Sequence, residues 1–237
     1  MKKIIGIIGG MGPQATIDLY QQIVNLTPAS VDQEHLHMLI DSYPQIPDRT
    51  EALLNGGEDP LPYLAESANR LQAAGANCLI IPCNTAHAFV YALQQTTSIP
   101  ILNMIDETAR YITDQYPRTS QAGLLATSGT VEIGLYQKAL QNFQIDTVTP
   151  NLEEQSNLVM EAIYGEAGIK AGCLGEHPTL LLKQAAQMLI EQGATVIIGG
   201  CTEIPLVLDE DSLPVPFINP SYILAKKAVE FALDTSY

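Results

Sequence analysis

The chain is poor in cations and in large aromatic residues. It has no tryptophan and four phenylalanines, and it contains 11 lysine and arginine residues against 26 aspartate and glutamate residues. The formal net charge is −15 and the pI is near 4.4. Nucleic acids and anionic membranes bind proteins through basic surfaces, so this charge argues against both as partners. A small anionic substrate remains compatible with the composition if a few cations are placed locally.

Long apolar runs are also absent. No run in the 237 residues approaches the roughly 18 to 20 residues that a transmembrane helix needs. The segment 1–10 is too short and too broken by glycine to be the core of a signal peptide. We therefore interpret this segment as a first strand and predict a cytoplasmic protein.

Cysteine is scarce, with four residues in the chain. In a cytoplasmic protein these are reduced thiols more often than a disulfide framework. No Cys-x-x-Cys occurs, and His35 and His37 lie two apart in a predicted strand, so the sequence predicts no metal site. We also predict no nicotinamide or flavin cofactor, because the turn Gly9-Gly10-Met11-Gly12-Pro13 lacks the G-x-G-x-x-G spacing.

What the chain does contain is an internal duplication. Residues 75–85, which include Cys83, are matched by residues 193–203, which include Cys201, and three further blocks recur in the same order at offsets of 116 to 118. A period of this length indicates a duplicated domain rather than a solenoid. We predict two pseudo-symmetric α/β lobes, residues 1–103 with 219–237 and residues 104–218, with an active site in the cleft between them.

Apolar runs alternate with amphipathic segments throughout the chain, which is typical of parallel sheets flanked by helices. The predicted strands are 4–8, 36–41, 78–82, 99–102, 122–126, 145–149, 195–199 and 215–218, and the predicted helices are 14–26, 60–74, 85–96, 105–116, 131–142, 152–164, 178–192 and 220–234.

Each half delivers one cysteine at the end of a predicted buried strand. Ligands of open α/β sheets bind beyond the carboxyl ends of the strands, so we expect Cys83 and Cys201 at binding edges. Cys83 precedes a predicted helix, whose unpaired amide groups and dipole are expected to favour the thiolate. Cys78, inside a strand, and Cys173, in a loop, are interpreted as structural.

Polar residues accompany both thiols. Asn84 and Thr85 offer donors and acceptors beside Cys83, although Thr85 is also placed to cap a helix. Glu203 stands at the position equivalent to Thr85, either as a functional acid or as a stabiliser of a first helical turn. The backbone of Met11 and Gly12 and the hydroxyl of Thr127, in two equivalent turns, are expected to line the binding crevice.

Two cations lie in segments punctuated by glycine or proline, where binding residues are common. They are Arg49 and Lys170. Arg49 could hold a carboxylate through two parallel hydrogen bonds and Lys170 a second one as a point charge. The alternative is that both are solvated surface charges.

Two equivalent acid/base groups on facing lobes suit a reaction in which a proton leaves one face of a carbon and returns on the other. One thiolate abstracts while the opposite thiol donates, and reversal only exchanges their protonation states. The pattern therefore favours a racemase or an epimerase, and the weak acidity of an amino-acid α-C–H demands stabilisation of carbanion charge in a dry site.

At these residues the sequence resembles the aspartate/glutamate racemase superfamily, and most closely its aspartate racemases. The resemblance spans nearly the whole chain and is carried by Gly9-Gly10-Met11-Gly12-Pro13, Pro47-Asp48-Arg49-Thr50, Pro82-Cys83-Asn84-Thr85-Ala86-His87, Ile163-Tyr164 through Ile169-Lys170, and Gly200-Cys201-Thr202-Glu203.

This resemblance implies a homodimeric racemase that interconverts L- and D-aspartate without pyridoxal phosphate or any other cofactor. It implies Cys83 and Cys201 as opposed acid/base residues and Arg49 and Lys170 as ligands of the carboxylates. The residues implied to bind the amino-acid end are Asn84, Thr85, Thr127 and Thr202, and Met11, Gly12 and Glu203 complete the expected substrate site.

Several alternatives stay open. Relatives in this superfamily include glutamate racemases, hydantoin racemases, maleate isomerases and one-thiol decarboxylases, and retention of both cysteines disfavours the last. The alternative functions are therefore a glutamate racemase, a broad acidic amino-acid racemase or a maleate isomerase. A two-lobed protein that only binds an acidic amino acid would show no turnover. A thiol oxidoreductase would form a reversible disulfide between Cys83 and Cys201.

Overall fold

A computed structural model describes residues 2–234 and divides the chain into two compact units. Unit 1 contains the residues up to Glu107 together with those from Ser221, and unit 2 is Thr108–Pro220. Each unit has one parallel sheet flanked by helices, which confirms the predicted fold class. Within residues 2–234, no helix has both the length and the apolar character needed to cross a membrane.

Unit 1 is built on a three-stranded sheet in the order β2-β1-β3. Ile7 in the central strand pairs with Ile40 on one side and Ile80 on the other. The elements are β1 (Ile5–Gly9), α1 (Pro13–Leu26), β2 (Met38–Ser42), α2 (Arg49–Leu54), α3 (Leu61–Ala73), β3 (Cys78–Ile80), α4 (Val90–Gln94) and the first residues of α5 (Met104–Gln115), with 3₁₀ turns at Asp32–Glu34 and Thr85–Phe89.

Unit 2 repeats this order with one added strand, as β5-β4-β6-β7. Its elements are the remainder of α5, β4 (Gln121–Ala126), α6 (Ser128–Ile133), α7 (Leu135–Gln141), β5 (Asp146–Val148), α8 (Leu152–Glu154), α9 (Glu161–Tyr164), α10 (Glu176–Glu191), β6 (Val196–Gly200) and β7 (Phe217–Ile218). A π-helical turn, Gln155–Met160, joins α8 to α9, and 3₁₀ turns lie at Ile169–Ala171 and Ile204–Leu206.

The last helix, α11 (Pro220–Leu233), packs on the first sheet although it follows the second along the chain. Leu224, Ala228 and other residues of one α11 face share an apolar cluster with Ile5, Ile7 and Leu19. The central strands are buried on both faces, as expected of parallel sheets covered by helices.

Four predicted elements differ from the structure. The helix predicted at 131–142 is two helices, α6 and α7, separated by Gly134 in the left-handed region. The strand predicted at 99–102 is reduced to a single bridge between Leu79 and Ile101. The helix predicted at 85–96 begins as the 3₁₀ turn and becomes α-helical only at Val90. The helix predicted at 152–164 contains the π turn, so its residues do not follow one regular helical register.

Candidate active site

Both predicted catalytic thiols lie past the carboxyl ends of equivalent strands. Cys201 directly follows β6, and Cys83 follows β3 after two residues. Both side chains are buried, and all four cysteines are free thiols. In parallel sheets this is the edge at which ligands bind.

The Cys83 thiol lies in a mainly apolar environment. It belongs to a core cluster with Ile8, Met11, Ile46 and Ala86. Its backbone N–H donates to the Ile81 carbonyl at 2.8 Å, which tightens the turn after β3. Asn84 and Thr85 are also buried here, and Asn84 rather than Thr85 occupies the cap position of the 3₁₀ turn, without a side-chain capping bond.

The His87 ring is hydrogen-bonded to the backbone of the Cys83 loop and to the start of α5. Its Nδ1 lies 2.9 Å from the Cys83 carbonyl oxygen, and its Nε2 accepts from the Met104 backbone N–H at 3.1 Å. A carbonyl can only accept, so Nδ1 carries the proton and the ring is neutral. Complete burial lowers the pKa of His87 to about 4. The imidazole therefore fixes the backbone of the thiol loop.

The turn after β1 has a backbone that requires glycine. Gly10 has φ of 93°, and a Cβ there would lie 2.5 Å from the Tyr43 backbone. The Gly10 N–H donates to Thr16 Oγ1, and that hydroxyl donates to the Gly12 carbonyl, each at 2.9 Å. The Gly10 N–H and the Gly12 carbonyl are therefore both hydrogen-bonded to Thr16. The Met11 side chain packs in the same cluster as Cys83.

Arg49 is the first residue of a helix and not part of a loop, which corrects the sequence interpretation. Asp48 caps α2 by accepting from the N–H groups of Thr50 and Glu51 at 2.8 and 3.0 Å. The Arg49 residue is buried, and its Nη1 donates to the carbonyls of Ile46 and Pro47 at 3.2 and 2.9 Å.

This burial excludes the solvated surface charge that was the alternative for Arg49. Helix α2 also contacts the 3₁₀ turn that follows Cys83, so the fixed guanidinium and the thiol loop belong to one part of unit 1.

Cys201 is tied to a buried carboxylate. Its sulfur donates to Glu203 Oε2 at 2.9 Å, and the Thr202 hydroxyl donates to the same oxygen at 3.2 Å. Lys170 Nζ donates to the other oxygen, Oε1, at 2.8 Å. Lys170 also lies 5.3 Å from the centre of the Tyr164 ring.

This network decides the state of the Cys201 thiol. Burial raises the pKa of Cys201 well above its usual value, the Glu203 charge raises it further, and Lys170 opposes both. Only the three-residue 3₁₀ turn Ile204–Leu206 follows, so no long helix dipole stabilises a thiolate. Cys201 is therefore a protonated thiol.

Glu203 does not stabilise a helical turn through its side chain. The adjoining 3₁₀ turn has no side-chain capping bond, and the carboxylate is instead used by Cys201, Thr202 and Lys170. The sequence predicted functional roles for all four residues, with Cys201 as a catalytic residue and Thr202, Glu203 and Lys170 as part of the substrate site. Their mutual bonding was not predicted, because Lys170 and Glu203 are 33 residues apart.

Thr127 lies at the equivalent turn after β4. It is buried, and its Oγ1 is 3.2 Å from Thr130 Oγ1. The π turn supports this segment from the side: Gln155 Nε2 donates to the Ala126 carbonyl at 2.9 Å, and the Ser128 N–H contacts Met160 Sδ at 3.4 Å.

Sequence reasoning missed two buried polar residues near these turns, Thr50 and Gln155. The Asp-Arg-Thr cap would have pointed to Thr50, whereas no local pattern marks Gln155. Within residues 2–234, no group of three or more His, Cys, Asp or Glu side chains could hold a metal ion. A cavity of about 870 Å³ involves Lys3, Asn77 and Phe231, near the amino-terminal ends of β1 and β3 and so at the edge opposite the thiol.

Each of the two parallel sheets has a thiol at its carboxyl edge. Comparisons with known proteins identify the family that has this fold. A family model for Asp/Glu/hydantoin racemase matches residues 8–228. Picrophilus torridus aspartate racemase superposes with a TM-score of 0.80 at 27% identity, over 97% of this chain and 94% of that chain.

The chain belongs to the Asp/Glu/hydantoin racemase family, and it is therefore an isomerase that acts on small amino-acid substrates. It is 31% identical over 230 residues to the broad specificity amino-acid racemase RacX of Bacillus subtilis (strain 168), covering 95% of this chain and 96% of that protein. A glutamate racemase of Corynebacterium kroppenstedtii is 27% identical over 152 residues, covering 63% of this chain and 50% of that protein.

Proposed function

We propose that this racemase interconverts L- and D-aspartate by a two-thiol proton transfer that needs no pyridoxal phosphate. The observation that carries the proposal is the pair of buried thiols, Cys83 and Cys201, at the carboxyl edges of equivalent strands. Duplication gives each half of the chain one acid/base group, as a reaction that runs in both directions requires.

The Cys201 network supports an assignment of the starting proton. Because Cys201 is a thiol hydrogen-bonded to Glu203, it begins as the donor. In this direction the Cys83 thiolate takes the α-proton, and the Cys201 proton is delivered to the opposite face of the α-carbon. The enzyme is left with a Cys83 thiol and a Cys201 thiolate, which Lys170 helps to stabilise, and it is ready for the reverse reaction.

Two cations support a dicarboxylate substrate. Arg49 is buried and held by two backbone carbonyls, so its guanidinium is already oriented before a carboxylate arrives. Lys170 is partly exposed and already paired with Glu203, so a substrate carboxylate would share its charge. We propose Arg49 as the main carboxylate ligand and Lys170 as the second.

A racemase of broader specificity is the second candidate. The 31% identity to a broad specificity racemase favours it, and glutamate exceeds aspartate by only one methylene. A binding pocket distinguishes such a difference by only about 1–3 kcal/mol. We also propose a homodimer in the cytoplasm; sedimentation equilibrium would test the first point and cell fractionation the second.

The experiment that tests the function follows α-hydrogen exchange in deuterium oxide for aspartate, glutamate and alanine separately, together with chiral chromatography. The protein is first dialysed against a chelator and its absorbance is checked for pyridoxal. We expect exchange and racemization to be fastest with aspartate. Equal efficiency with alanine would reject the dicarboxylate assignment, and activity restored only by pyridoxal phosphate or a metal would reject the two-thiol mechanism.

A further inference from the structure

The π turn places a buried amide beside the turn that follows β4. Gln155 is 7% exposed, and its Nε2 donates to the Ala126 carbonyl at the carboxyl end of the strand. The same nitrogen is 3.4 Å from Ser128 Oγ. These contacts fix which end of the amide faces the backbone and leave the oxygen, Oε1, on the other side.

Gln155 Oε1 is buried and has no hydrogen-bond partner among the described residues. Covalent geometry places it about 2.3 Å from Nε2, so it stays close to Ala126 and Thr127. A buried acceptor without a donor costs about 1–3 kcal/mol, and natural proteins keep few of them. Such a group in an enzyme is explained when a substrate or an ordered water supplies the donor.

The same segment reaches the Cys201 side of the unit. Leu158 and Val159 of the π turn share an apolar cluster with Cys201 and Ile204. The turn thus packs against the thiol's cluster and also holds Gln155 against the end of β4. Single π turns within helices occur frequently at functional sites.

The chemistry of the ligand follows from the chemistry of the orphan atom. An amide oxygen can only accept, so its partner must donate. The carboxylates of an acidic amino acid are acceptors only, and its one strong donor is the α-ammonium group. We propose that Gln155 Oε1 accepts a hydrogen bond from the α-ammonium of the substrate and makes the enzyme selective for amino acids over acids that lack the amine.

This inference rests on the proposed function only in that the substrate is an amino acid, and it holds for aspartate, glutamate or alanine alike. Gln155 would be a binding residue that keeps the ammonium group charged and oriented while the thiols exchange the α-proton.

Two ligands that differ only in the amine provide the test. Racemic aspartate, whose composition turnover does not alter, and succinate are titrated calorimetrically into wild type, Gln155→Met and Gln155→Glu. Glutamate and glutarate form a second pair, which serves if aspartate is not the substrate. The measured quantity is the ratio of the two dissociation constants within a pair.

We expect Gln155→Met to lower the preference for the amine by roughly ten- to a hundred-fold, as for one hydrogen bond to a charged group. Gln155→Glu keeps an acceptor and loses the Nε2 donor, so it should retain or increase the preference even where the fold is less stable. A purely structural Gln155 would weaken both ligands equally.

An unchanged ratio in Gln155→Met would overturn the inference and would indicate that a water satisfies Oε1. A ratio that falls equally in Gln155→Glu would also overturn it, as would a wild-type protein with no preference for the amine. Racemization by the wild type is measured beside these titrations, so failure of this inference is distinguishable from failure of the proposed function.

Discussion

The two thiols share a position in the fold but have different surroundings. Cys83 lies among apolar side chains and is supported through its own backbone by the neutral His87. Cys201 is bonded at the sulfur to a carboxylate, Glu203, which is itself paired with Lys170. In the alignment of the two halves, Thr85 corresponds to Glu203 and His87 corresponds to Pro205.

The difference shows that duplication repeats geometry more faithfully than electrostatics. A strand that ends at the same sheet edge positions a sulfur in either unit, whereas the proton affinity of that sulfur depends on the few side chains around it. Unit 2 holds its thiol protonated, and in the proposed two-thiol reaction this would make Cys201 the first proton donor.

The largest expected effect on activity comes from substitutions that remove either sulfur. Cys83→Ser and Cys201→Ser should each lower kcat/KM for racemization by about 10²–10⁴-fold, because a hydroxyl is too weak an acid to replace the thiol as proton donor or acceptor. Cys173→Ser, at a partly exposed cysteine in a loop, is the matched control and should leave activity unchanged. A folded Cys83 or Cys201 variant with near-normal activity would end the comparison between two catalytic thiols.

A smaller effect is expected from the cations. Arg49→Ala or Lys170→Ala should lower kcat/KM for aspartate by roughly ten- to a hundred-fold, since hydrogen bonds between charged groups contribute about 1.5–3 kcal/mol. Arg49→Lys should also be impaired, because it loses the planar fork. Steady-state kinetics with aspartate and alanine check this, with Arg118→Ala as the control. Loss of alanine turnover to the same extent would indicate a structural role for the cations.

The third prediction concerns His87, which supports the Cys83 loop, and uses the pH dependence of the free energy of unfolding. The folded state holds the pKa of His87 at about 4, below its ordinary 6.5, so the unfolded chain binds the proton more tightly. The stability that burial of neutral His87 contributes is complete above pH 6.5 and is lost as the pH falls toward 4. Between pH 7 and 5 this loss is about 2 kcal/mol.

The free energy of unfolding in urea at pH 7, 6 and 5 measures this loss of stability. All three pH values lie above the pI of about 4.4. His87→Gln should be less stable at pH 7, through its lost bonds to Cys83 and Met104, and should show a flatter acid slope than wild type. Parallel slopes for the two proteins would mean that folding does not lower the pKa of His87.

The last prediction changes only the charge beside Cys201. Glu203→Gln removes the carboxylate that raises the pKa of Cys201, so alkylation of this thiol by iodoacetamide should move to lower pH. Mass spectrometry resolves Cys83 in the same digest, and its profile should not move. A Cys201 profile that stays in place would show that burial alone sets its protonation, and circular dichroism verifies that the fold is intact.

Much of this site was accessible from sequence because the signals were local. The apolar runs before Cys83 and Cys201 predicted buried strands, and the repeated order of blocks predicted two similar units. The buried polar neighbours Asn84, Thr85 and Thr202 adjoin the thiols along the chain, so strand placement alone brought them to the sheet edge.

Only the tertiary structure decided how these groups act on one another. The Lys170–Glu203 pair, the His87–Met104 bond and the Gln155–Ala126 bond join residues 33, 17 and 29 positions apart. A pKa depends on burial and on charges within a few ångströms, and neither is written in local sequence. The sequence alone thus determined the positions of the two thiols, because strand periodicity is local, whereas folding determined the protonation of Cys201, because its burial and its ion pair exist only once the chain is packed.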